Sequence, residues 1–312
     1  MTTAWLFPGQ GTQQVGMGKE LYAASAAARE VWQRADAALG FSLKNLCFEG
    51  PEAELTLTMN AQPAIVTTSI AALAAIREAL PGLELPAFGA GHSLGEYSAL
   101  VAAGALTLED AVKLVHLRGQ AMQEAVPAGV GGMAAILGGD AAAVEALCRD
   151  AAQGDVVAPA NFNTPGQIVI SGHKAAVERA AALAGERKLK ATMLNVSAPF
   201  HCSLMAPAAA RMKTALAAVT PGSLGFPVVA NVEATPNADA SRIASLLVRQ
   251  VDSPVKWDQS VVAMAEAGVT RALEIGPGKV LANMTKRIDK RISVLSVGDS
   301  ESVGKVAEFL AG

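Results

Sequence analysis

Gly89-Ala90-Gly91-His92-Ser93-Leu94-Gly95-Glu96 is the stretch on which the reading of this chain turns. Before it, Leu85 to Phe88 reads as extended; after it, Tyr97 to Ala105 is an apolar run that reads as a buried helix. Strand, tight glycine turn and helix together are the setting of a nucleophile elbow, where a serine stands at a strained corner with its hydroxyl exposed. Gly91 and Gly95 leave room for the turn and for close packing around Ser93. The helix behind would aim unpaired N–H groups and partial positive charge at an anion formed there. The five-residue pattern alone is weak in a chain with 29 glycines, and its plain alternative is an ordinary strand-to-helix turn.

Composition frames that choice. The 312 residues are enough for one large or two smaller domains. About half are apolar (51%) and 17% are charged, as expected of a well-buried globular enzyme. A net charge of -3 argues against a nucleic-acid partner, which calls for a basic face. No basic n-region precedes an apolar run at the start, so no signal peptide is expected. The longest apolar runs, such as Ile65 to Ile76, read as too short or too marked by Thr and Ser to span a membrane. Cys47, Cys148 and Cys202 are widely spaced, show no metal pattern and suit a reducing compartment, so the cytoplasm is expected.

Outward from the elbow, an N-terminal strand, Ala4 to Phe7, runs into Pro8-Gly9-Gln10-Gly11-Thr12-Gln13. This is no phosphate loop, because Met17 stands where lysine is required. Leu21 to Leu39 and Ala61 to Leu80 read as helices, the second with Pro63 in its first turn. Thr107 reads as the N-cap of a helix to about Ala125, with Glu109 and Asp110 in the first turn. Ala111, Val115 and Met122 form its apolar face, and Arg118 falls in the same stripe. A guanidinium there needs a partner. It either snorkels or pairs with a structural carboxylate, or it waits for an anionic ligand.

The next seventy or so residues keep their own rhythm. Met133 to Leu137, Val156 to Asn161, Gln167 to Ser171 and Ala191 to Val196 read as strands, with helices at Asp140 to Ala152 and Lys174 to Arg187. That βαββαβ order is the ferredoxin-like unit. Asn161 to Gly166 reads as its hairpin turn. The fold expected is therefore α/β: a large domain with a parallel sheet, residues 1–127 and 197–312, interrupted by a small insert, 128–196.

After the insert comes Ser197-Ala198-Pro199-Phe200-His201-Cys202, at a junction where clefts form. Of four histidines, His92 adjoins Ser93 and should point away from it, His116 lies off the Arg118 stripe, and His173 starts a helix of the insert. His201 is the best-placed base, the alternative being a packed loop histidine. Cys202 reads as a small buried thiol. Further on, Phe226 to Asn231, Arg271 to Ile275 and Ile292 to Ser296 read as strands. Ser241 to Val251, Gln259 to Ala267 and a segment after Gly276-Pro277-Gly278-Lys279 read as helices. Lys279, Lys286, Arg287, Lys290 and Arg291 are either a solvated helix face or a dock for an acidic partner.

Several stretches, in order, now carry a resemblance: Phe7-Pro8-Gly9-Gln10-Gly11, Gly91-His92-Ser93-Leu94-Gly95-Glu96, Arg118, Pro199-Phe200-His201-Cys202, Gln250 with Pro254, and Glu274-Ile275-Gly276-Pro277-Gly278. Together they closely resemble the malonyl-CoA:acyl carrier protein transacylases of fatty-acid and polyketide synthesis, over the whole chain. The resemblance implies an α/β-hydrolase-like large domain with the ferredoxin-like insert. It implies Ser93 as acylated nucleophile, His201 as base, and Gln10 and Leu94 as donors of backbone N–H groups to the oxyanion. It implies Arg118 as holder of the malonyl carboxylate, Phe200 beside the bound acyl group, and the Gln250 region as what orients His201 through an amide or a carbonyl. Thr12 stands where serine is frequent in the first motif. The reaction implied is ping-pong transfer from malonyl-CoA to the phosphopantetheine thiol of an acyl carrier protein, with no metal or redox cofactor and no membrane partner. Two rivals share the motifs: an acyl hydrolase or esterase on the same Ser–His pair, and a non-catalytic scaffold that binds carrier protein.

Overall fold

The computed structural model describes residues 2–196 and 198–312; Ser197, where the sequence reading resumes the large domain, lies outside the described residues. Eleven strands make two sheets among them. They are β1 Thr2–Phe7, β2 Phe88–Gly91, β3 Gly131–Leu137, β4 Val157–Thr164, β5 Gln167–His173 and β6 Lys190–Met193. The rest are β7 Val228–Ala230, β8 Thr235–Asn237, β9 Val255–Lys256, β10 Val269–Ile275 and β11 Ser293–Val297. The larger sheet has the order β11-β10-β1-β2-β7-β8. It is parallel except where β8 turns back on β7. In its centre Phe7 pairs with Gly91, so the loops leaving β1 and β2 emerge side by side from one edge. That edge is where open α/β sheets hold their ligands.

The smaller sheet runs β6-β3-β5-β4-β9. Its first four strands, all from the insert, pair antiparallel. In chain order they lie 4-1-3-2. The fifth, β9, comes from outside the expected boundaries 128–196 and pairs parallel with β4, Asn161 against Val255 and Phe162 against Lys256. The hairpin turn is shorter than expected, because β4 continues through Thr164 and leaves only Pro165 and Gly166 to turn.

The helix expected from Ala61 starts earlier and runs Thr58–Ala79, which places Pro63 inside it. A proline there has no N–H for the carbonyl four residues back. That carbonyl, Met59 O, instead accepts from His116 Nδ1 at 2.8 Å. By length and composition this helix could cross a membrane, contrary to the sequence reading, yet 83% of its most apolar window is buried inside the fold. Apolar residues on every side are what a central core helix carries. It packs against helices Ala26–Leu39 and Leu108–Glu124. The expected Leu21 to Leu39 helix is two, broken at Ser25, whose side chain caps the second by accepting from Ala28 N at 3.0 Å. Helices Leu43–Glu49, Glu52–Thr56, Ser300–Gly304 and Val306–Ala311 and strand β8 were not anticipated.

Candidate active site

Ser93 sits between β2 and helix Gly95–Ala102 with φ +53°, a left-handed conformation that side chains rarely adopt. The turn is tight enough that a Cβ on Gly91 would fall 2.0 Å from the Gly95 carbonyl carbon. Asn231, just past β7, braces the corner: Ser93 N donates to its Oδ1 at 2.7 Å, and its Nδ2 donates to Gly91 O at 2.7 Å. These contacts hold Ser93 Oγ toward a cavity of about 490 Å³ that Arg118, Phe200, His201 and Gln10 also line.

His201 Nε2 lies 2.8 Å from Ser93 Oγ, and its Nδ1 lies 2.8 Å from the backbone oxygen of Gln250. A carbonyl only accepts, so Nδ1 carries the proton and Nε2 is free to accept from the serine hydroxyl. His201 itself is left-handed, φ +58°, and buried. Burial first, and the Arg118 charge second, push its imidazole down to about 3, so it is neutral around Ser93 at ordinary pH. The other histidines are occupied elsewhere. His92 Nε2 meets Asn163 Oδ1 at 2.9 Å, His116 holds Met59 O, and His173 Nδ1 accepts from Val156 N. Cys202 is buried and turned to Pro199 O, with burial pushing its thiol up.

Arg118 is 1% exposed. It neither snorkels nor ion-pairs with a carboxylate among the described residues. Its Nη1 donates to Gln62 Oε1 at 2.8 Å, and its Nη2 donates to Ser93 Oγ and Gln250 Oε1, each at 3.0 Å. Its Nε has no partner among the described residues, and the guanidinium lies 5.9 Å from the Tyr97 ring centre. It is thus a buried cation held by neutral groups at the cavity wall.

Gln250 is wholly buried and stands behind Arg118 and His201 rather than on the cavity wall. Its Nε2 donates to Ser93 O at 2.9 Å and Glu96 Oε2 at 2.7 Å. Leu94 is the first residue of the helical turn after the serine, and its amide has no partner among the described residues. Gln10 lies in the loop beside the elbow, its side chain 3.5 Å from Thr58 Oγ1. Three polar partners were not singled out from sequence: Gln62, Asn231 and the carboxylate of Glu96. Gln62 had one visible signal, a long amide one residue before Pro63 on a buried face of the helix. The basic cluster is split. Lys279 precedes helix Val280–Ile288, while Lys286, Arg287, Lys290 and Arg291 lie at or beyond its far end, where the chain returns to start β11. That end faces away from the sheet edge that carries Ser93, and Arg291 is paired with Asp289 at 2.6 Å.

A serine hydrogen-bonded to a neutral imidazole at the strand-edge elbow of a parallel α/β sheet is the arrangement that serine-nucleophile acyl-group enzymes use. The chain belongs to the acyl transferase domain family, whose model matches residues 4–308. It is 49% identical over 302 residues to the malonyl CoA-acyl carrier protein transacylase of Bacillus subtilis, covering 96% of this chain and 94% of that one. The solved malonyl CoA-acyl carrier protein transacylase of Coxiella burnetii superposes with a TM-score of 0.97 at 42% identity, over 100% of this chain and 98% of that one. A malonyl-transacylase in complex with its type II polyketide acyl-carrier protein superposes at 0.95, with 43% identity and 99% of both chains covered.

Proposed function

We infer that the protein transfers a malonyl group from CoA to the phosphopantetheine thiol of an acyl carrier protein, through an ester on Ser93. The observation that carries this reading is Arg118: a buried guanidinium without a carboxylate partner, 3.0 Å from the Ser93 hydroxyl. It calls for an acyl group that brings its own carboxylate.

His201 Nε2 takes the Ser93 proton as Oγ attacks the thioester carbon. The amides of Gln10 and Leu94 donate to the oxyanion that forms, a contact worth about 3 kcal/mol per good donor. The intermediate collapses, the C–S bond breaks, and the proton passes from His201 to the departing CoA sulfur. In the second half His201 deprotonates the carrier thiol, the thiolate attacks the ester, and Ser93 Oγ recovers the proton. The malonyl carboxylate on Arg118 offsets one of the charges that depress His201, so the base strengthens when the correct substrate is seated. Phe200 borders the path of the acyl α-carbon. Gln250 aims His201 through its carbonyl. This chemistry needs serine, imidazole and hydrogen-bond donors, and no metal or redox cofactor takes part.

The chain is read as an α/β-hydrolase-like large domain, 1–127 and 197–312, around a ferredoxin-like insert, 128–196. The 4-1-3-2 strand order supports the insert. A cytoplasmic location accords with three free, buried cysteines. Intact-mass spectrometry tests the reading. Incubation with malonyl-CoA should leave a malonyl adduct that disappears on adding carrier protein. Free malonate with no adduct would instead make this a hydrolase, and neither product would leave a scaffold.

A further inference from the structure

Among the described residues, Glu96 is the one acid whose carboxylate joins the hydrogen-bond network behind Ser93, and the transfer chemistry leaves it without a task. It is 3% exposed. Two donors converge on its Oε2: Asn231 N at 3.1 Å and Gln250 Nε2 at 2.7 Å. The other end of the same Gln250 amide, Oε1, accepts from Arg118 Nη2 at 3.0 Å. One planar amide therefore spans from the carboxylate to the guanidinium. Its orientation is fixed by its neighbours, since Ser93 O can only accept and Arg118 can only donate.

We propose that Glu96 is the resident counter-charge of Arg118, acting through Gln250, and that its charge state sets how tightly the site holds a substrate carboxylate. The inference rests on the reading of Arg118 as the malonyl anchor. While Glu96 is ionised, Arg118 is already partly compensated, and an incoming carboxylate meets a second negative charge close by in a dry site. Once Glu96 is protonated, the guanidinium is uncompensated and the substrate carboxylate is its only counter-ion.

The remaining charges near Glu96 do not move in the same pH window. Burial, opposed by its hydrogen bonds to Asn231 and Gln250 and by the Arg118 charge, pushes the Glu96 carboxyl up to about 7. Glu233, following β7, is held below the usual carboxylate range by Arg249 and Arg242, so it stays ionised. Tyr97, on Glu96's own helix, is pushed up to about 12 and stays neutral. His201 stays neutral, and burial moves His92 in the same direction. Glu96 is thus the group near Arg118 whose charge changes between pH 6 and pH 8.

The test measures binding of malonyl-CoA and acetyl-CoA at pH 6, 7 and 8, in a Ser93→Ala background so that no acyl transfer occurs. Glu96→Gln, which keeps an oxygen for both donors and removes the charge, and Arg118→Ala are added separately. With Glu96 present, malonyl-CoA should bind roughly tenfold more weakly at pH 8 than at pH 6, the scale of two charges coupled across a buried site. Glu96→Gln should bind malonyl-CoA tightly and without that slope, and acetyl-CoA should show no slope in either protein. A slope that survives in Glu96→Gln, or its absence in the parent, overturns the proposal. If Glu96→Gln does not fold, the malonyl-minus-acetyl difference across pH in the parent still decides. Arg118→Ala binding malonyl-CoA as tightly as the parent would remove the anchor reading itself, a failure distinct from that of Glu96.

Discussion

Arg118 and Ser93 share one hydrogen bond, and that bond separates two ways of damaging the enzyme. On the proposed mechanism Ser93→Ala removes the nucleophile from a corner that Asn231 also holds, so the fold should persist while the malonyl adduct vanishes in intact-mass spectra. An adduct of normal yield would place the nucleophile elsewhere. Arg118→Ala should lower malonyl transfer by about 10⁴-fold, as happens when a site loses the group that pairs a substrate's polar end, while acetyl transfer stays level or improves. The comparison is kcat/KM for both thioesters on both proteins; equal losses would make Arg118 a structural residue. His201→Ala should slow acylation by roughly 10²–10⁴-fold, the usual contribution of a general base, in rapid-quench measurements of the first half-reaction.

Between elements, the decisive contact is where helix Leu108–Glu124 crosses the start of helix Thr58–Ala79. Gly119 makes it possible: a Cβ there would lie 2.5 Å from Thr58 O and 2.6 Å from Met59 Cα. The close crossing lets Arg118 reach Gln62. Gly119→Ala should therefore push the helices apart, cost about 1–3 kcal/mol in urea unfolding, and lower the malonyl-to-acetyl ratio. By contrast, Thr107→Ala removes an exposed cap, whose hydroxyl accepts from Asp110 N at 3.0 Å and donates to Asp110 Oδ2 at 2.7 Å. It should cost about 1 kcal/mol and leave that ratio unchanged. Elements of this kind were legible in sequence because caps and periodicity are local: Thr107 caps where it was expected to, and the helix expected from Asp140 starts there, with Asp140 as its cap. The break at Ser25 was not, since both flanking helices continue one apolar pattern. Helices as short as Glu52–Thr56 show no period, and β9 is a strand only because β4 lies beside it. The same divide runs through the site. Ser93 and His201 carry motif or scarcity signals, whereas Gln62 and Asn231 are ordinary amides whose meaning appears only at hydrogen-bond distance.

For the molecule as a whole, buried ionisable groups pull stability in opposite directions with pH. Glu96 has its folded-state carboxyl raised to about 7 from an ordinary 4.5, so the folded state binds the proton more tightly and stability falls as pH rises across that window. His201, depressed to about 3 from 6.5, acts oppositely: the unfolded chain binds the proton more tightly, and stability is lost as pH falls from 6.5 to 3. Urea unfolding of wild type and Glu96→Gln at pH 5, 6, 7 and 8 isolates the first effect. The wild type should lose stability relative to the variant, by an amount on the order of 1–3 kcal/mol, between pH 5 and 7, and little more above. A constant difference would mean that Glu96 does not titrate in this range.

The pairing of β9 with β4 has a mechanical consequence. Val255 and Lys256 rivet the insert to a segment whose other end, Gln250, presents the carbonyl that aims His201. The insert also supplies Met133, Asn161 and Leu194 to the cavity wall. It therefore cannot swing to widen the cavity without either shearing the rivet or dragging the carbonyl behind the imidazole. The width of the doorway and the aim of the imidazole are geared to one another, and a macromolecule leaning on the insert would have its hand on both.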